Sequence, residues 1–474
     1  MVCGTTSGAG KSFLTTALAR WYARAGFKVA PFKAQNMSNN ARVVDGGEIG
    51  SAQYFQAIAA RCEPDVRMNP VLLKPETPTH SQVILLGQRH DEIAAIDWRA
   101  RGPHLWPPIR SSLDALLDDH EIVVIEGAGS PAEINLRSSD LVNMRVAAYA
   151  RAATLIVCDI DRGGAFAHLY GTYQLLSAEE RALVRGFVLN RFRGDRALLD
   201  PGPRMLEALT GVPTLEVLPM WREHGLPEED GLYGTAAPAG DGDAPARTIA
   251  IVAYPQISNL DEFAPLARVV NSRLRWAREP DALERADLVI LPGSKHVAAD
   301  LEWLRRRGIG AAVAAHVAAG KPLLAICGGL QMLGQEIRDP HRVEAAAAGL
   351  GLLPYTTEFA AEKRYRRGHY RLRATRGFWK ALDGVEYDGY EIRHGESAPT
   401  TLDRGPALTP VLGAGCGWQG GATLALYTHG LFENAAVMHA LFGHETPTLD
   451  DTLDRLADFI DAEFGRETLL RLVA

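Results

Sequence analysis

Short runs of apolar, mostly β-branched residues alternate along this chain with longer stretches in which apolar positions return at helical spacing. In the first half, Val123-Val124-Ile125, Thr154-Leu155-Ile156-Val157 and Gly186-Phe187-Val188-Leu189 show no polar alternation, which predicts strands buried on both faces. Ile249-Ala250-Ile251-Val252, Leu288-Val289-Ile290-Leu291 and Leu323-Leu324-Ala325-Ile326 repeat the signal in the second half. Such strands interleaved with helices predict α/β architecture around parallel sheets. From Glu228 to Arg247 the pattern lapses into Gly, Ala, Pro and Asp, centred on Pro238-Ala239-Gly240-Asp241-Gly242-Asp243, the composition of a linker. The expected organisation is therefore a domain over 1–227, a linker over 228–246 and a second domain over 247–474, each built on a parallel sheet. The run Ala345 to Ala348 predicts no more than a short helix, and no internal repeat is visible.

Composition narrows the function classes. A chain of 474 residues is too long for one hydrophobic core. A net charge of -7 gives no reason to expect nucleic acid or an anionic membrane as partner. No apolar run approaches the roughly 18 residues of a membrane-spanning helix, and no secretory signal opens the chain, so a cytoplasmic location is expected. Cys3, Cys62, Cys158, Cys327 and Cys416 lack the spacing of a zinc site or a disulfide framework.

Gly4-Thr5-Thr6-Ser7-Gly8-Ala9-Gly10-Lys11-Ser12 has the form of a phosphate loop. In such loops the backbone N–H groups freed by Gly8 and Gly10 converge on an anion at a helix N-terminus. Lys11 is expected to reach the terminal phosphates of ATP, and the Ser12 hydroxyl to bind Mg2+. Magnesium takes one or two hard protein oxygens, and Glu126, closing the strand Val123 to Ile125, stands at the sheet edge where ligands bind. Asp45, in Asp45-Gly46-Gly47-Glu48, is the second metal candidate, and it reads equally well as a cap for the helix that follows. Lys33, after Val29-Ala30-Pro31-Phe32, is placed to face anionic substrate oxygens or to lie on the solvated surface. Asp159 and Asp161, in Asp159-Ile160-Asp161-Arg162-Gly163-Gly164, end another strand and either line the same edge or anchor a loop.

The second half carries different chemistry. Cys327 follows a buried strand and precedes Gly328-Gly329 at a helix start, a turn that exposes a nucleophile and favours the thiolate. The N–H groups of Gly328 and of Gly293, in Leu291-Pro292-Gly293-Ser294-Lys295, are natural oxyanion donors, because both loops leave parallel strands at one sheet edge. His429, in Tyr427-Thr428-His429-Gly430, is the expected base. A cysteine that attacks a carbonyl, on the same chain as an ATP loop, suggests a synthetase that draws ammonia from glutamine.

The chain resembles the cobyric acid synthase family over essentially its whole length. The resemblance rests on Pro31-Phe32-Lys33-Ala34-Gln35-Asn36-Met37-Ser38-Asn39-Asn40, Asp45 to Gln53, Met68 to Pro75, Glu126 to Leu136 and Leu189 to Asp195. It continues through Leu291 to Lys295, Ile326 to Gln331, Gly389-Tyr390-Glu391-Ile392 and Thr428 to Asn434. It implies a dethiobiotin synthetase-like P-loop domain, whose longer loop form has five residues between Gly4 and Gly10, followed by a class I glutamine amidotransferase-like domain. The implied activity is ATP- and glutamine-dependent amidation of the b, d, e and g carboxylates of adenosylcobyrinic acid a,c-diamide through acyl phosphates. The substrates are then a corrinoid a,c-diamide and L-glutamine, with Lys33, Glu133 and Asn135 toward the corrinoid, Asn190 toward adenine, and a homodimer as the expected assembly. Two departures stand out. Leu431 occupies the position two residues after His429 where a carboxylate is common, so a Cys-His dyad is expected, and Arg393 stands where the family usually has histidine.

Cobyrinic acid a,c-diamide synthase, which amidates other carboxylates, is the nearest rival, disfavoured by the segments Phe32 to Asn40 and Asp45 to Gln53. A nucleotide-regulated nucleic-acid binder is suggested by Lys363-Arg364-Tyr365-Arg366-Arg367-Gly368-His369-Tyr370-Arg371-Leu372-Arg373, where basic and aromatic residues interleave. A solvated strand face explains the same run. A scaffold with a degenerate glutaminase is opposed by the presence of both Cys327 and His429.

Overall fold

The computed structural model describes all residues except 78–79, 223, 227–246, 401–405, 414 and 444–447. The expected linker over 228–246 lies outside the described residues. The chain forms two compact units: unit 1 comprises Met1–Ser38, Val44–Leu226 and Leu449–Ala474, and unit 2 comprises Asn39–Val43 and Pro227–Thr448.

In unit 1, strand β1 (Val2–Gly4) leads through the phosphate loop into helix α1 (Lys11–Arg24). Strands β2 (Val29–Phe32), β3 (Ile122–Ile125), β4 (Thr154–Asp159), β5 (Val184–Phe192) and β6 (Thr214–Pro219) follow. All pairings among them are parallel, in the order β2-β3 and β1-β4-β5-β6, and a parallel bridge from Val2 to Glu126 joins the two sets. Each predicted apolar run of this half is one of these strands, buried because helices cover both faces.

The expected second domain loses its C-terminal end to unit 1. Helix Leu449–Phe464 places Leu453, Leu456, Ala457, Ile460 and Phe464 on one buried stripe in the core with α1. Burying each large apolar side chain contributes about 2 kcal/mol. Arg20, fully buried on α1, holds Asp450 and Asp454 at 2.6 and 2.7 Å, and Trp21 donates to Asp461 at 2.7 Å. The boundary at 247–474 is therefore corrected: 449–474 completes unit 1.

Unit 2 is built on a seven-stranded sheet among the described residues. Strands β7 (Arg247–Val252), β8 (Ser272–Ala277), β9 (Leu288–Leu291) and β10 (Leu323–Ile326) are joined by β11 (Leu408–Leu412), β12 (Gly417–Gly420) and β13 (Thr423–Leu426). The order is β8-β7-β9-β10-β13-β12-β11, parallel as far as β13 and antiparallel beyond it. A long antiparallel ribbon, Tyr355–Arg371 against Glu386–Pro399, carries the basic run. There Arg364 pairs with Glu396 at 2.7 Å, His369 with Asp388 at 2.9 Å, and Tyr370 is buried and stacked on Tyr387. The run is thus a strand with a charged outer face. The short helix expected at Ala345 to Ala348 is absent; Ala347–Ala348 pairs as a strand with Glu336–Arg338, since tertiary pairing overrides the helix preference of so short a run. No helix among the described residues is long and apolar enough to cross a membrane.

Candidate active site

Each unit holds one cluster of chemistry-bearing residues. In unit 1 the loop after β1 turns through Gly8 and Gly10 with φ of 70° and 104°, left-handed values natural to glycine. A Cβ on Gly10 would also fall 2.0 Å from Nδ2 of Asn190, whose amide donates to the Ala9 carbonyl at 3.0 Å. Asn190 therefore braces the loop from the end of β5. Lys11 lies over the loop, its Nζ donating to Thr6 O at 3.0 Å and Gly129 O at 3.2 Å.

The first residue of α1 after Lys11 meets the end of β3: Ser12 Oγ donates to Glu126 Oε1 at 2.8 Å. Lys33 Nζ reaches the same oxygen at 3.0 Å, and Gln56 donates to Oε2. Burial alone would push the Glu126 carboxyl up, but the Lys33 ammonium and the bonds from Gln56, Lys33 and Ser12 hold it below the ordinary carboxylate range. Ser12, Lys33 and Glu126 are thus brought together in one cluster. Asp45 is not brought to them: it lies exposed at a turn, its backbone bridged to Asp65. Nor does it cap the next helix, because strand Gly47–Gly50 intervenes and Gly50 is the N-cap of Ser51–Ala59. Glu133 and Asn135 are exposed on the loop after β3, beside exposed Ile134 and Leu136. Asp159 and Asp161 anchor a loop, paired with Arg191 at 2.9 Å and with Arg193.

The donor set suits magnesium. Ser12 and Glu126 offer a neutral and an anionic hard oxygen, and among the described residues no group of three or more His, Cys, Asp or Glu could hold a metal without help. An ion that keeps its waters and binds phosphate oxygens fits two protein oxygens better than a full protein cage.

In unit 2 the nucleophile candidate sits on a strained turn. Cys327 leaves β10 with φ 50° and ψ -105°, a conformation rare for a side-chain-bearing residue and held here by its N–H bonding to Leu426 O at 2.8 Å. Gly328 must lack a side chain, since a Cβ there would lie 2.6 Å from the Ser294 nitrogen. That contact brings the Gly293–Ser294 strand, itself paired with Ile257–Ser258, against the turn. A Cβ on Gly293 would meet His429 Cε1 at 2.9 Å, so both oxyanion candidates border the thiol and the imidazole.

His429 is buried, and the charge at Cys327 acts on its imidazole. Its Nδ1 lies 2.9 Å from Glu262 Oε1, and Glu262 Oε2 accepts from Gly430 N at 3.0 Å. The expected dyad is thereby corrected to a thiol–imidazole–carboxylate relay. The carboxylate comes from Leu260–Arg268, not from the position after the histidine, where Leu431 is packed in the core. Tyr390 stacks on His429 with centroids 5.2 Å apart and planes at 20°. Arg393 is buried, bonds Glu391 at 2.8 Å and lies 3.9 Å over the Tyr427 ring.

Burial works against a charged imidazole, but the Glu262 carboxylate and the charge at Cys327 outweigh it and raise His429 to about 10. A raised value means that the proton is held at neutral pH and released only as pH climbs through about 10. Glu262→Gln removes the larger raising charge, so the proton should leave at lower pH. Alkylation of Cys327 followed against pH should show its alkaline change moving toward neutrality, and glutamine turnover should fall on the order of 10²-fold. An unmoved profile would dismiss Glu262 as the partner of His429.

A phosphate loop in one unit and this relay in the other define an ATP-dependent ligase that takes its nitrogen from glutamine. The corresponding family models match the two halves: a CobQ/CobB/MinD/ParA nucleotide binding domain over residues 1–228 and a CobB/CobQ-like glutamine amidotransferase domain over residues 248–437. A cobyric acid synthase of Variovorax paradoxus is 59% identical, covering 100% of this chain and 99% of that protein. Those of Leptothrix cholodnii and Methylibium petroleiphilum are each 59% identical, covering 100% of this chain and 96% of theirs. The chain belongs to the cobyric acid synthase family, amidating ligases of cobalamin biosynthesis.

Proposed function

We propose that the chain amidates the b, d, e and g carboxylates of adenosylcobyrinic acid a,c-diamide, each by way of an acyl phosphate. End-to-end identity of 59% with cobyric acid synthases, with both clusters intact, is the observation that carries this reading. A corrinoid carboxylate oxygen attacks the γ-phosphorus of ATP and ADP leaves, with Lys11 as counter-charge to the moving phosphoryl group. Ser12 and Glu126 would hold Mg2+, which supplies further neutralisation of phosphate charge. Lys33 steers the anionic carboxylate, Glu133 and Asn135 contact the corrinoid from their exposed loop, and Asn190 lies on the adenine side of the nucleotide. Ammonia then attacks the acyl carbonyl, loses a proton, and phosphate leaves.

The ammonia comes from glutamine. The Cys327 thiolate attacks the side-chain amide carbonyl, and the N–H groups of Gly293 and Gly328 stabilise the oxyanion. His429, held by Glu262, gives its proton to the departing ammonia, then takes one from the water that releases glutamate from the thioester. A cytoplasmic enzyme working on small molecules, with no nucleic acid and as a homodimer, is the setting we propose. Mass spectrometry of the corrinoid a,c-diamide after incubation with the protein, ATP, Mg2+ and glutamine tests the reading. Stepwise carboxyl-to-amide conversion at b, d, e and g is expected, and conversion of cobyrinic acid at a and c instead would favour the rival enzyme.

Glu126→Ala should raise the magnesium concentration needed for half-maximal activity by about tenfold, through loss of one of two hard oxygens. Asp45→Ala, at an exposed turn, should change it far less. An unchanged titration for Glu126→Ala would move the metal elsewhere.

A further inference from the structure

Arg42 is encoded in the N-terminal half, yet it is fully buried inside unit 2. Its Nε donates to Asp261 at 3.0 Å, a second donor also reaches Asp261, and its terminal nitrogens grip both oxygens of Glu433 at 2.9 and 2.6 Å. The guanidinium carbon lies 5.1 Å from the centre of the Tyr390 ring that stacks on His429. The two residues before it hold the same turn. Asn40 Oδ1 accepts from Leu260 N at 3.0 Å, and Ala41 N donates to Asn259 Oδ1 at 3.2 Å, while the amide nitrogen of Asn259 stands 3.3 Å from His429 Nδ1.

Asn40 to Arg42 therefore touches three pieces of chain that surround the imidazole. One is the turn that carries Glu262, another is the segment from His429 to Glu433, and the third is the strand bearing Tyr390. Three carboxylates converge there: Asp261 and Glu262 are buried, and Glu433 closes the cluster from its more exposed side. Left alone they would repel one another and resist burial. The forked guanidinium meets two of them in fixed geometry, which a flexible ammonium does less well. The third, Glu262, is then left to His429.

We propose that Arg42 is a positioning residue for glutamine hydrolysis: the N-terminal half contributes the brace that aims Glu262 and Tyr390 at His429. The proposal rests on the reading of Cys327 and His429 as the glutaminase pair. Its occupant and chemistry are both on the chain, so full-length variants test it. Arg42→Met should lower kcat for glutamine-dependent amidation by about 10²-fold, with the KM for glutamine within about threefold and ammonia-dependent amidation unchanged. Arg42→Lys, which keeps the charge and loses the fork, should recover part of the lost kcat. Should Arg42→Met fail to fold, Asn40→Ala removes only a neutral acceptor from the same brace and should lower the glutamine kcat by about tenfold, again sparing the ammonia reaction.

Glutamine turnover within about threefold of the parent in folded Arg42→Met, or in both Arg42→Lys and Asn40→Ala, would overturn the proposal. So would parallel loss of the glutamine and ammonia reactions in a variant that melts like the parent. Cys327→Ser separates this from failure of the underlying reading. If that variant still uses glutamine, the glutaminase assignment falls, whereas a dead Cys327→Ser beside a normal Arg42→Met removes Arg42 alone.

Discussion

Cys327→Ser will end the use of glutamine as nitrogen donor, lowering that rate by about 10³-fold or more, while ammonium salts at high pH continue to support amidation. The turn tolerates serine, since the strained φ of 50° belongs to the backbone and the proposed oxyanion donors at Gly293 and Gly328 are main-chain groups. The loss is in the nucleophile. His429 carries its proton through neutral pH because Glu262 and the charge at Cys327 favour the imidazolium. A serine hydroxyl supplies no such charge and is far harder to ionise, so neither a nucleophilic alkoxide nor the stored proton is ready. In the acyl-phosphate route we propose, activation uses Lys11, Ser12 and Glu126, which this substitution leaves alone. Full glutamine-dependent turnover in the variant would refute the glutaminase assignment. Loss of the ammonia reaction in a folded protein would mean that the two chemistries are not separable.

Lys11→Ala is expected to abolish amidation from either donor, by about 10³-fold. In the structure Nζ already bonds the carbonyls of Thr6 and Gly129, holding the ammonium over the cradle formed by Gly8 and Gly10. Alanine leaves the loop without its fixed positive charge at the stage when charge builds on the transferred phosphoryl group. On the proposed route ammonia cannot repair that defect, because nitrogen enters after the carboxylate has been activated. Near-normal ammonia-dependent turnover would show that activation happens away from this loop. Hydrolysis of glutamine measured alone, without ATP, should survive the change.

The parallel sheets were legible because strands covered on both faces need no polar positions: Leu288–Leu291 and Leu323–Ile326 coincide with their apolar runs. The phosphate loop and the thiol turn were legible because their chemistry is local, a few residues whose spacing is the geometry. Glu262 was not, since its bond to His429 spans 167 positions and no local pattern announces it. Arg42 escaped for the same reason, with partners 219 and 391 positions away. Helix Leu449–Phe464 has a plain amphipathic pattern, but a stripe of Leu and Ile says only that a core exists, not which one. The aspartates on its other positions become meaningful only when Arg20 and Trp21 are found opposite. Asp45 failed in the opposite direction, because a motif match names a residue without fixing where the turn carries it.

The exchange of Asn39–Val43 and Leu449–Ala474 between the units bears on how such an enzyme can be divided. Severing the chain within 227–246 would not release two self-sufficient modules. The front fragment would leave with Asn39–Val43, which holds the turn beside the other fragment's histidine, and the rear fragment would leave with a helix that seals the front fragment's core. Fragments expressed apart should be poorly soluble or inert, whereas the same fragments made together should find each other and regain glutamine-driven synthesis. A lineage that carries these activities on separate genes would need either to resew both ends of the chain or to keep the two products permanently associated.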